Sequence, residues 1–149
     1  KKDYKILTLL TSYNRPHHIK NVINSLKSIK ESGVENDIYI VENSNSEFKN
    51  ECINVINDNI DGNFKLYVSE FNMGQRGALL QMLEDVYINQ YDFIQFTDQD
   101  NIFIEPLRTY CEILQENKIE KLPVIDFFNF FLNILHSDNF KSAEITRCL

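Results

Sequence analysis

Cysteine is scarce in this chain and poorly spaced for either of the jobs it usually does in small folds. The three residues, Cys52, Cys111 and Cys148, are odd in number, lie far apart and include no CxxC pair. That excludes a zinc framework and a disulfide scaffold, and it suits a reducing, intracellular setting. A basic excess is missing as well. Fifteen Lys and Arg stand against 22 Asp and Glu, for a formal net charge of −7. Nucleic acid is therefore not an expected partner, because a phosphate-binding face needs surplus cations. No apolar run approaches the roughly 20 residues that span a bilayer. The opening "KKDYKILTLLTSYNRP" turns polar after a short apolar run and offers no cleavage-type small residues, so no signal peptide is read there. The expected location is the cytoplasm, with peripheral contact at the inner face of a membrane left open. Internal repeats and low-complexity segments are absent too.

What remains is an ordinary folding composition. With 149 residues and 43% hydrophobic content, the chain can bury a sizeable core and is read as one domain, 1–149. The first two-thirds alternates two periods. "KILTLLTSY" (5–13) is a β-branched and apolar run, expected as a strand. Asn14 is a candidate cap, and Pro16 suits a first helical turn. Ile19, Val22, Ile23, Leu26 and Ile29 then recur at helical spacing, and Gly33 is a plausible stop. "DIYIVEN" (37–43) is the second strand. Ser44 or Ser46 could cap a helix carrying Phe48, Cys52, Ile53 and Ile56. "FKLYVSE" (64–70) is the third strand. "NMGQRG" (72–77) leads into a helix with Ala78, Leu79, Met82, Leu83 and Val86, and "DFIQFT" (92–97) is the fourth strand.

Strands alternating with amphipathic helices predict a three-layer α/β/α sandwich with a mostly parallel sheet. Ligands of such sheets sit beyond the carboxyl ends of the strands. The polar clusters fall there: Thr11–Arg15, Glu42–Ser46, Glu70–Arg76 and Asp98–Asn101. The last third is less regular. Residues 104–118 read as a helix with Pro106 in its first turn. Residues 122–136, "LPVIDFFNFFLNILH", read as a helix apolar around most of its circumference. Core burial, a homo-oligomer or partner interface, and membrane-surface contact are the readings open for it.

Asp98 and Asp100 stand two apart, with Gln99 between them. Carboxylates held that close repel each other unless a cation compensates. Mg²⁺ or Mn²⁺ does so readily, taking one or two carboxylates and completing its shell with water and substrate phosphates. A solvated acidic turn is the alternative on spacing alone.

Four segments in order, "TSYNRPHHIKNVINSL", "IYIVENSNS", "FNMG" and "DFIQFTDQD", each follow a strand. Together they resemble the nucleotide-binding half of the GT-A glycosyltransferases, family 2 type, over residues 5–103. The resemblance implies a Rossmann-like fold of the GT-A type, shortened after the D-x-D strand, with 104–149 as the helical remainder of an abbreviated acceptor side. It implies that Thr11 and Tyr13 frame a nucleotide base and that Glu42 accepts a hydrogen bond from base or ribose, although the family more often has Asp there. It also implies that Arg76 lies near the nucleotide, Asp98 reaches the ribose and Asp100 holds the metal. An acidic group can accept the imide N–H of uracil, so a UDP-sugar is the natural donor; thymidine would satisfy the same bond. The function implied is sugar transfer to an unknown acceptor. An inverting transferase also needs a general base. Asp126, Asp138 and Glu144 follow D-x-D, but none sits in a motif. The lack of tryptophan removes the family's common Arg-Trp acceptor motif, so no catalytic residue is assigned. A non-catalytic donor-binding module working with a partner is the alternative. A phosphatase or receiver domain is a third reading, weakened because "LLTSYNRP" carries no acidic pair after the first strand. His17 and His18 read as exposed helix-start residues, and His136 takes no role.

Overall fold

The computed structural model describes residues 3–100, 102–103 and 107–116. Its elements run β1 (Tyr4–Ser12), α1 (Pro16–Ser28), β2 (Val34–Glu42), α2 (Ser46–Asn59), β3 (Phe64–Val68), α3 (Gly74–Asp85), a 3-10 turn (Ile88–Gln90), β4 (Phe93–Thr97) and α4 (Leu107–Glu116). The sheet order is β3-β2-β1-β4, and every pairing is parallel. The expected α/β sandwich with a parallel sheet is what forms. The helix expected over 122–136, with its proposed interface, and Asp126, His136, Asp138, Glu144 and Cys148 lie outside the described residues, as do Asn101 and Pro106.

The alternation of side chains along β1 separates two cores. Ile6 and Leu10 face α1, α2 and α4, packing with Ile19, Val22, Ile23 and Leu26, with Ile38 and Ile40 of β2, and with Ile56, Leu107 and Cys111. Leu7 and Leu9 face α3, meeting Ala78, Leu79 and Met82 together with Tyr39, Val41, Tyr91 and Ile94. Through Leu107 and Cys111, α4 thus shares the first of these cores.

Local departures from the sequence reading have physical causes. β2 starts at Val34, earlier than its apolar run, because the ladder with β1 pairs Tyr4 with Val34 and continues to Ser12 with Glu42. The α1 helix ends at Ser28, capped by Ile29. Gly33 instead serves the turn into β2, at φ +77°, where a Cβ would lie 2.6 Å from the Arg108 guanidinium. Pro16 opens α1 as expected, but the N-cap residue is Arg15, and Asn14 has a different task. The N-cap residue of α2 is Asn45, and the hydroxyl of Ser44 is spent on Glu42. No helix among the described residues is long and apolar enough to cross a membrane.

Candidate functional site at the carboxyl edge of the sheet

All four strand ends open on one edge, and side chains tie the loops there to one another. Asn14 sits at φ +55°, a left-handed conformation that Asn tolerates because its short amide bonds locally. Its N–H donates to Ser44 Oγ at 2.8 Å, and its Oδ1 accepts from Asn45 N–H at 2.8 Å. The β1 loop is thereby fastened to the β2 loop at two points. The β2 loop reaches the next one through Asn43, whose Oδ1 accepts from Met73 N–H at 3.2 Å. In "NMG", Asn72 Oδ1 accepts from Gly74 N–H at 3.0 Å, and Gly74 takes φ +66°, which a side chain would strain. Gln75, on the first turn of α3, donates its amide to Asp98 Oδ1. Gln99 then pairs with the backbone of Tyr13 twice. Tyr13 N–H donates to Oε1 at 2.8 Å, and Nε2 donates to Tyr13 O at 3.0 Å. These links close a ring through the loops of β1, β2, β3 and β4.

The expected site residues distribute unequally around that ring. Thr11 is half-buried near the end of β1, in the row of Leu7 and Leu9 on the α3 side. Tyr13 is 38% exposed just beyond it. Arg76 is exposed on the first turn of α3, Asp98 is half-buried one residue past β4, and Asp100 is exposed. These five share the carboxyl edge. Glu42 stands apart. It continues the row of Ile38 and Ile40 on the α1 and α2 side and is wholly buried. Its Oε1 accepts from Ser12 Oγ at 3.3 Å and from Ser44 N–H at 3.1 Å. The Ser44 hydroxyl donates to the same oxygen, and Lys49 Nζ lies 3.5 Å from Oε2. Lys49 also donates to the carbonyl of Ser69. Direct contact between Glu42 and a nucleotide was the expectation from motif order. In this geometry its carboxylate is engaged internally and braces the loops of β2 and β3. The next residue, Asn43, falls on the α3 side. Sequence reasoning passed over Asn43, Gln75 and Gln99. For Asn43 a signal existed, since counting by two from Ile38 puts Glu42 on one face and Asn43 on the other.

Asp98 and Asp100 fit a hard divalent cation only in part by themselves. Among the described residues no group of three His, Cys, Asp or Glu side chains could enclose an ion. A cation here would take carboxylate oxygens and complete its shell with water and ligand phosphates, which is the usual mode for Mg²⁺. His17 and His18 are exposed at the start of α1, as expected.

A parallel β3-β2-β1-β4 sheet covered on both faces, with its polar loops gathered at the carboxyl edge, defines a Rossmann-like α/β fold of the kind found in glycosyltransferases. Among solved structures the chain is similar to S. aureus TarS, at 21% identity and a TM-score of 0.57 over 75% of this chain and 20% of that one. It is likewise similar to TarS 1–349 in complex with UDP, at 20% identity and a TM-score of 0.58, and in complex with UDP-GlcNAc, at 19% and 0.54. It spans 32% and 31% of those two chains, so less than a third of each. At this identity the shared property is the fold. No family model matches the sequence, and no curated protein does either.

Proposed function

We propose that this chain is the donor-binding part of a glycosyltransferase of the GT-A, family 2 type, and that it takes a nucleotide-diphospho-sugar, most naturally a UDP-sugar. One observation carries the reading. A closed ring of hydrogen bonds holds the four strand-end loops together; Tyr13 and Asp98 are members of it, and Thr11, Arg76 and Asp100 lie within two residues of its members in the chain. The bound UDP and UDP-GlcNAc of the TarS structures support it.

In this reading Tyr13 offers its exposed ring to the base, and Thr11 lines the same side. Asn43 is buried like Glu42, and its Oδ1 is taken up by Met73 N–H, so it serves the site by tying the loops of β2 and β3 together. Glu42 acts through the loop it braces. Asp98 lies toward the ribose, Arg76 toward the phosphates, and Asp100 would hold Mg²⁺ or Mn²⁺. When bound, the cation supplies charge neutralisation for the departing diphosphate. Calorimetry with UDP, GDP and ADP in the presence of Mn²⁺ tests the reading, and equal affinity for all three or for none would sink it. Donor hydrolysis or sugar transfer by this chain would separate a working transferase from a donor-binding module that needs a partner.

A further inference from the structure

Gln99 lies between the two aspartates, where the D-x-D pattern leaves the residue type open. Its carboxamide pairs with both polar groups of one backbone residue, Tyr13, across 86 positions of sequence. An amide is the side-chain group that can do this, because it carries a donor and an acceptor side by side. The pairing sits at the junction of β1 and β4, which are neighbours in the sheet. It is also the link that closes the ring, joining the loop of β4 directly to that of β1, whereas the bond from Gln75 ties Asp98 to α3 and that from Phe103 N–H to Ser25 Oγ ties the chain further on to α1.

We propose that Gln99 is a positioning residue that couples the two ends of the donor site, so that Tyr13 and the Asp98–Asp100 loop are set as one body. This rests on the nucleotide-sugar reading. The base end belongs to the loop of β1, and the diphosphate end belongs to the loop of β4. Without the amide pair each loop keeps its own attachments. The β1 loop stays fastened through Asn14 to Ser44 and Asn45, and Asp98 stays fastened to Gln75. What is lost is their relative placement. A ligand that touches both then orders them itself, and that ordering subtracts from its affinity. The cation's benefit for UDP binding falls for the same reason, because the ion is held on one loop and the base on the other.

The substitution Gln99→Ala tests this in the full chain, with two readouts. Amide hydrogen exchange at Tyr13 follows the clip itself and needs no ligand. It should quicken about tenfold in Gln99→Ala, as expected for a lost hydrogen bond of ordinary strength. It should stay near wild type in Gln99→Glu, which keeps the acceptor. Calorimetry with UDP, with and without Mn²⁺, follows the coupling. Wild type should bind UDP more tightly with Mn²⁺. In Gln99→Ala the affinity should fall about tenfold and the Mn²⁺ enhancement should shrink, while uridine alone changes less. Gln99→Glu should recover only part, since a carboxylate cannot donate to the Tyr13 carbonyl and adds a third negative charge beside the pair. Unchanged exchange at Tyr13 overturns the clip. Faster exchange with undiminished Mn²⁺ enhancement overturns the coupling. If wild type binds no UDP while exchange responds as expected, the nucleotide reading has failed and takes the coupling with it.

Discussion

Replacing Lys49 by Met should destabilise the fold by about 2–3 kcal/mol. Lys49 Nζ stands 3.5 Å from the wholly buried Glu42 carboxylate, and its own side chain is 20% exposed. At that distance, with an effective dielectric constant near 20, the gross attraction is about 5 kcal/mol. Part of this is offset by the cost of taking the ammonium out of water. Removing one partner of a buried pair typically costs about 3–5 kcal/mol, because the other charge is left behind. Two features place this case below that range. Water can reach the Lys49 end, and Glu42 keeps its bonds from Ser12 and Ser44. The bond from Lys49 to the Ser69 carbonyl goes as well, which keeps the loss above that of an exposed ion pair. Met preserves most of the aliphatic stem, so packing changes little. Urea unfolding of the two proteins measures the effect. With a slope of about 1.5–2 kcal/mol per molar, the midpoint should drop by about 1–2 M. The double variant Lys49→Met with Glu42→Gln should cost clearly less than the sum of the two single ones, since the stranded charge is gone. A single-variant loss below about 0.5 kcal/mol would show that Glu42 does not depend on this cation, and the brace would be wrong.

Asn14→Ala should cost about 1–3 kcal/mol in thermal unfolding, because it removes the bond to Asn45 and leaves a side chain at φ +55°; Asn14→Gly, which relieves the backbone, should cost less. Asp100→Ala should abolish Mn²⁺-dependent UDP binding and leave the urea midpoint unchanged, since the residue is exposed at the edge; normal donor binding would remove it from the cation site. Tyr39 donates to Asp85 Oδ2 at 2.5 Å, and this bond holds the Asp85 carboxyl below its ordinary value, while burial and the Asp85 contact push Tyr39 up. Stability from Asp85 is thus present above about pH 4 and lost on acidification, and that from Tyr39 is present below about pH 10 and lost above it. In Tyr39→Phe both limbs of the stability–pH profile should flatten, and equally steep limbs would disprove the link. Burial, then the nearby Asp92, pushes the Cys111 thiol up to about 12, so its thiolate fraction near pH 8 should be lower by about a thousandfold than that of an ordinary thiol. Iodoacetamide labelling of the native chain should spare Cys111 until urea is added.

The alternation of two hydrophobic periods was enough to read the layers, the parallel sheet and the order of its elements, because burial on both faces leaves little choice of pattern. Boundaries were harder where backbone pairing outruns side-chain character. Glu35 and Asn36 lie before the strand read from the sequence, yet they belong to β2 because β1 continues beside them. Caps were misjudged where one polar side chain had two employers. Ser44 reads as a cap, but the buried Glu42 takes its hydroxyl. The motif order brought Thr11, Tyr13, Asp98 and Asp100 to one edge, but it carries no information on side-chain facing. Glu42 was read by its place after a strand, whereas its parity with Ile38 and Ile40 puts it in the core. Gln99 was beyond reach, since its partner is a backbone 86 residues away, and backbone groups leave no mark in a sequence.

The two kinds of link around the carboxyl edge have different consequences. On the α1 and α2 side the link between Glu42 and Lys49 is buried at its carboxylate end and involves charge, so losing it should be felt by the whole fold. On the α3 side the links are exposed or half-buried amide bonds, as in Gln75 with Asp98 and Gln99 with Tyr13. Each of those contributes on the order of 1 kcal/mol to stability. Their weight lies elsewhere, because loops already held in register spare a ligand the cost of ordering them. Variants on the first side should therefore move unfolding midpoints first and binding second. Variants on the second side should move binding while the midpoint barely shifts. That contrast needs only the two measurements already named, and it separates support of the fold from preparation of the site.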